Sequence, residues 1–160
     1  MKSYHMRRSE KKIENQEEII DIIKGQKYLT MAMCKDGEPY LVTLNYGFDE
    51  EELIFYFHCA KEGKKIDFLE GNNKVYGQIL DDLGYREGRC DHSYRSVHFQ
   101  GCVSFLDDEE EKKEALCLMV EQLEEEPERV KSRMVGKADL GGVKVGQIKV
   151  ETLSGKESKD

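Results

Sequence analysis

From residue 28 onward apolar and polar side chains alternate with a period of two, in one short segment after another. Leu29, Met31 and Met33 alternate with Thr30, Ala32 and Cys34. Successive side chains of a strand point to opposite faces, so a segment of this kind has one face to bury. Asp36-Gly37 follows, a pair favoured at the centre of a tight hairpin because both residues must take positive φ. Residues 40–48 then set Tyr40, Val42, Leu44 and Tyr46 against Leu41, Thr43 and Asn45, which predicts an antiparallel pair. Residues 53–59 are apolar on both faces, Leu53, Phe55, Phe57 and Cys59 on one and Ile54 and Tyr56 on the other, with His58 ending the second. Such a strand is expected to be covered on both sides, with more apolar surface than the chain's own helices hide. Residues 74–80, with Gly77 at the middle, and residues 94–106 read as the fourth and fifth strands, with a polar loop at 81–93 between them. In the last strand, 143–153, the apolar phase slips from Val143 and Val145 to Ile148 and Val150, which predicts a β-bulge at Gly146.

Between these segments the period lengthens to that of a helix. Asn15 and Glu18 resemble a capping box, Ile19, Ile20, Ile22 and Ile23 supply an apolar face, and Gly25 stands where a C-terminal cap belongs. Residues 62–70 form a second expected helix, closed by Gly71. Residues 107–126 form an acidic amphipathic one, and Pro127 is suited to starting a short fourth. Six strands with helices at the ends and at one crossover give an α+β architecture, a six-stranded antiparallel sheet rolled into a small barrel with peripheral helices. A chain of 160 residues fits a single domain, 1–160. Residues 1–14 form a charged arm that needs another surface to lie on, and 154–160 a polar tail expected to fray.

Charge and cysteine content narrow the function. With 25 Lys and Arg against 33 Asp and Glu, the net charge of -8 disfavours any general attraction to nucleic acid or an anionic membrane. No apolar run reaches the length of a membrane span. Five cysteines without repeated C-x-x-C spacing, and no apolar signal segment at the start, predict a reduced, cytoplasmic setting. Cys90, His92, His98 and Cys102 are residue types that bind zinc, but their spacing fits no finger and no metal is expected.

Against this acidic background, Lys61, Lys64 and Lys65 follow the strand ending in His58 and lead into a helix. Residues 59–61 hold no Ser, Thr, Asp or Asn to cap that helix, so its first N–H groups stand beside three cations, an arrangement suited to a phosphate. The alternative is that Lys61 and Lys64 are solvated or paired with Glu62 and Asp67. His58 reads either as a hydrogen-bonded structural residue or as a proton donor, and Cys59 as a small buried hydrophobe.

The stretches EPYLVTLNYGFD, LIFYFHCAKEGKKIDFL and YRSVHFQGCVSF, with MRRSEKKI near the start and IKVETLSGK near the end, resemble the pyridoxamine 5′-phosphate oxidase-related flavoproteins, nearest to their nitroimidazole-resistance branch. That resemblance implies an FMN-binding split β-barrel working as a homodimer, with flavin sites between subunits. By position it implies that Val42, Thr43, Leu44 and Asn45 run along the flavin ring. It places His58 and Cys59 where the third strand reaches the flavin, and Lys64 and Lys65 on its phosphate. Ser96 falls where the family contacts flavin from the partner subunit, with Tyr94 and Arg95 as weaker candidates. The implied activity is reduction of a small organic acceptor such as a nitroaromatic, with His58 as the candidate catalytic group. The alternative is a flavin- or haem-binding module that stores or senses its cofactor without turnover.

Overall fold

In a computed structural model, residues 6–134 and 142–159 are described. Residues 1–5 of the expected arm and Asp160 of the expected tail lie outside them. A short 3-10 turn (Ser9–Lys11) leads into β1 (Lys12–Ile13) and α1 (Gln16–Gly25). The hairpin β2 (Tyr28–Lys35) and β3 (Glu38–Asn45) follows, then β4 (Gly47–Asp49), β5 (Ile54–Cys59) and α2 (Lys64–Gly71). A long hairpin, β6 (Lys74–Arg86) and β7 (Asp91–Phe105), precedes α3 (Glu109–Leu123), α4 (Pro127–Met134) and β8 (Lys144–Ser158).

The strands form one antiparallel sheet in the order β3-β2-β6-β7-β8-β5-β4, with β1 added to β8. Its two outermost strands, β3 and β4, are consecutive in the chain and joined through Tyr46 alone. The sheet must therefore roll until its edges approach, yet no ladder joins them among the described residues: the barrel is open along one seam. Buried Tyr46 holds the turn at that seam, its hydroxyl donating to the carbonyl of Ile23 at 2.5 Å. Inside the roll Phe55 lies at 5.4 Å from Tyr46, 4.8 Å from Phe48 and 4.6 Å from Phe99 between ring centroids, the offset and edge contacts aromatic cores favour.

The six expected strands are present, and the two additional ones have local causes. Residues 40–48 break at Tyr46 into β3 and β4, and the arm contributes β1 by lying on the end of β8. That same pairing corrects the frayed tail: residues 154–158 are strand, held between β1 and β7. The polar loop at 81–93 is corrected as well. It is a continuation of the β6–β7 hairpin, tied by Arg86 Nε donating to Ser93 Oγ at 2.6 Å, with a register shift between Asp82 and Gly84.

The expected bulge at Gly146 lies elsewhere. Gly146 pairs in regular register with Phe57 and Phe105, whereas Gln100 pairs with Thr152 and Gly101 with Val150, leaving Glu151 as the extra residue. Glycine is required opposite that bulge, because a Cβ on Gly101 would stand 2.4 Å from the carbonyl oxygen of Lys149. The hairpin turn holds as expected, with φ of 52° at Asp36 and 84° at Gly37.

Helix α3 starts at Asp108, whose carboxylate accepts from the N–H groups of Glu110 and Glu111 at 2.9 and 3.0 Å. It packs on β4 and β5 and so covers the outer side of β5, where Ile54 and Tyr56 are half-buried. The surplus apolar surface expected on that strand is therefore taken up by the chain's own helix. No helix among the described residues is long and apolar enough to cross a membrane.

Candidate functional site

Two groups of residues emerge, one at the seam and one on the outer face of the sheet. At the seam α2 begins at Gly63, whose φ of 130° turns the chain into the helix without a side-chain cap. Its free N–H groups thus coincide with Lys64 and Lys65, its first two residues. Lys64 Nζ lies 4.6 Å from the ring centroid of Tyr40 on β3, and that ring packs on Phe68 of α2 at 5.2 Å. Lys65 Nζ lies 5.8 Å from the ring of Phe57 on β5. The helix start therefore bridges the two sides of the open barrel. Among the described residues none of Lys61, Lys64 and Lys65 forms an ion pair, so the expected alternative pairing with Glu62 and Asp67 is not observed.

Cys59 is half-buried beside this cluster; burial pushes its thiol up, while the charges of Lys65 and Lys144 pull the other way. Lys144 itself lies over Phe105 at 4.5 Å and reaches Glu70 at 3.5 Å. His58, one residue earlier, points to the opposite side of β5 and is exposed. The alternation of the strand thus separates the two neighbours: Cys59 shares its side with the lysines, and His58 does not.

The four residues of β3 divide in the same way. Val42 and Leu44 face inward and pack against the core, whereas Thr43 and Asn45 face outward. Thr43 Oγ1 meets Thr30 Oγ1 at 3.4 Å, and Asn45 Nδ2 donates to the Lys27 carbonyl at 2.9 Å. All four cannot present side chains to one side of a ring. What the strand does offer the seam is its backbone: β3 is an edge strand, so the N–H and C=O groups directed away from β2 have no ladder partner.

Ser96 lies on β7, three strands from β3 in the sheet, or about 14 Å at ordinary strand spacing. One protomer therefore does not bring Ser96 to Lys64 and Lys65. It does bring Ser96 to the outer face shared with Thr43, where the register runs Thr43, Thr30, Gln78, His98, Ser154 across successive strands. Ser96 is 2% exposed, with His98 Nε2 at 3.3 Å and the Lys156 carbonyl at 3.5 Å from its hydroxyl. Burial, with Lys156 adding to it, pushes the His98 imidazole below its ordinary value, and its Nδ1 is buried without a partner. Tyr94 shares this face, but Arg95 turns to the other side and forms a two-nitrogen contact to Asp81, which also accepts from Gln26. Tyr40, His98, Lys144 and Lys156 were not singled out for these clusters by sequence reasoning. The signal for His98 was its two-residue spacing from Ser96, whereas Tyr40 and Lys144 meet the lysines only through the roll of the sheet.

Comparison with known proteins bears on this arrangement. The chain resembles the structure of a protein ascribed to 5-nitroimidazole antibiotic resistance in Bacteroides thetaiotaomicron, with 28% identity and a TM-score of 0.74 over 91% of this chain and 86% of that one. An FAD-binding protein of Mesorhizobium loti shares the fold at 21% identity and a TM-score of 0.65, over 91% of this chain and 96% of that one. A flavocytochrome of Azotobacter vinelandii does so at 17% and 0.79, over 98% of this chain and 73% of that one. An uncharacterized protein of Rhizobium meliloti is 26% identical over 76 residues, and the match spans about half of each chain, 48% of both. The open antiparallel sheet with peripheral helices is the α+β split barrel these proteins share. The sequence profile of pyridoxamine 5′-phosphate oxidase matches residues 15–157, and the chain belongs to that family.

Proposed function

We propose that the protein is an FMN-binding flavoprotein of the reduced cytoplasm, a homodimer that reduces a small organic acceptor such as a nitroaromatic. The observation that carries this reading is the uncapped start of α2 at the seam, where Lys64 and Lys65 have no carboxylate partner among the described residues and stand beside the edge strand β3. Those residues fit a phosphate ester next to a planar ring with a polar edge: cations and free N–H groups for the phosphate, unpaired strand backbone for the ring. Bound FMN would supply the electron transfer.

The chain's own residues then have distinct tasks. Lys64 and Lys65 would hold the phosphate, with Cys59 beside them. The β3 segment Val42, Thr43, Leu44 and Asn45 would align the ring mainly through backbone. Ser96 would approach the flavin of a second copy, since its own chain keeps it on another part of the sheet. His58, exposed at the end of β5, would donate a hydrogen bond or proton to the acceptor. Homology to the protein ascribed to nitroimidazole resistance supports the acceptor class.

Calorimetric titration with FMN and riboflavin tests the reading. Hydrogen bonds involving charged groups contribute about 1.5–3 kcal/mol each, so Lys64→Ala with Lys65→Ala should weaken FMN by about 100-fold or more. Riboflavin, which lacks the phosphate, should lose far less. Equal losses would remove the phosphate site. An absorption spectrum with a haem Soret band in place of flavin bands would favour the storage or sensing alternative.

A further inference from the structure

On the outer face of the sheet, away from the lysines of α2, Gln78, Leu80, Tyr94, Ser96, His98 and Lys156 line a groove of about 400 Å³. Leu80 is exposed and the Tyr94 ring lies beneath Lys156 Nζ at 5.7 Å, so the walls are apolar with a cation at one end. Lys156 has no ion pair among the described residues, and its register partner on β1 is another lysine, Lys12. Asp82, the register partner of Tyr94, is engaged by His92 Nε2, which also lines the groove, at 2.6 Å and by the N–H of Gly84 at 2.8 Å.

The floor is polar and poorly satisfied. Ser96 is almost fully buried, yet its two contacts, at 3.3 and 3.5 Å, lie beyond the range of good hydrogen bonds. Its neighbour His98 has a buried Nδ1 without a partner. An imidazole keeps its proton on the nitrogen that has an acceptor, which places the N–H at Nε2, facing Ser96, and leaves the buried Nδ1 as the less costly orphan acceptor. The hydroxyl of Ser96 is then free to turn from its long contact with the Lys156 carbonyl toward an anion in the groove.

We propose that this groove binds a compact aryl carboxylate, its ring against Leu80 and Tyr94 and its carboxylate between Lys156 Nζ and the Ser96 hydroxyl. Its volume suits a one- or two-ring ligand. The inference goes beyond the flavoprotein reading. Under that reading the groove opens toward the flavin of a second copy, but binding itself requires no flavin.

Calorimetric titration of the full chain with benzoate and with benzamide, its neutral isostere, tests the proposal. Benzoate should bind about ten-fold or more tightly than benzamide, as expected for a charge-assisted contact. Lys156→Gln should abolish that preference and Lys156→Arg should retain it, with circular dichroism confirming that both variants are folded. Equal affinity for the two ligands, a preference that survives Lys156→Gln, or no binding of benzoate at millimolar concentration would overturn the proposal. Failure of the flavoprotein reading has a separate signature, the lack of a visible flavin band after incubation with FMN, and leaves the titration result unchanged.

Discussion

Lys64 and Lys65 carry their charges into the seam with no carboxylate paired to them among the described residues, and His58 is exposed at the end of β5 on the opposite side from Cys59. Because His58 is exposed and its side chain makes no hydrogen bond among the described residues, His58→Ala should change stability by no more than about 0.5 kcal/mol. If it serves the acceptor, the same change should slow reoxidation of the reduced, fully loaded protein by a nitroaromatic about 100-fold, the size of a general-acid contribution. Stopped-flow reoxidation would show this; an unchanged rate would remove His58 from the mechanism. His98 behaves differently because it is half-buried, with its Nδ1 shielded from solvent. Its folded value lies below its ordinary 6.5, so the unfolded chain binds the proton first as pH falls. Its contribution to stability is therefore complete above about 6.5 and is lost as pH drops through the folded value. Thermal melts of His98→Gln should fall less steeply between neutral and mildly acidic pH than those of the parent protein.

At the scale of elements, one close contact dominates the inner side of the β6–β7 pair. A Cβ on Gly77 would stand 2.0 Å from the ring of Phe99, which is 1% exposed and stacked on Phe55, so the ring has nowhere to go. Gly77→Ala should cost about 1–3 kcal/mol in denaturant unfolding, the usual cost of overpacking a core. At α3, Asp108→Ala removes the acceptor for two helix N–H groups and should cost about 1 kcal/mol. The strands with one buried face, β2, β3 and β7, were legible from their alternation, β5 from a run apolar on both faces, and the Asp36-Gly37 turn from its chemistry. What was illegible had physical causes. The outer part of the β6–β7 hairpin extends past most of the sheet with little to bury, so it carries no alternation and reads as a loop. Val145 and Ile148 mimic a phase slip because both sides of that stretch of β8 are covered, Ile148 within the main core and Val145 outside it. The true bulge, at Glu151, shows only in the three-residue step from Val150 to Leu153, both packed against the core, and the stronger slip between Val145 and Ile148 masks it. The lysine cluster was legible as a local pattern, but its neighbours Tyr40 and Lys144 required the rolled sheet.

Among the described residues, the outer face of β2, β3 and β6 exposes Tyr28, Leu41 and Tyr76, Leu41 by 61%. Thr43, Asn45 and Ser96 lie on this face too. The exposed apolar surface is thus here and not on β5, whose outer side α3 covers, and it is the face that would receive the proposed second copy. A two-fold pairing through this face would be self-complementary and would carry Ser96 of one copy toward the β3 edge of the other. Under the proposed function dimerisation and flavin binding would be one event, and a single experiment reads both. Sedimentation velocity at micromolar concentration, recorded at the visible flavin band and at the protein band, tests this most directly. Protein loaded with FMN should sediment as a dimer with the flavin signal co-migrating at one flavin per chain; flavin migrating with a monomer, or a dimer that takes up no flavin, would refute a shared site between two copies.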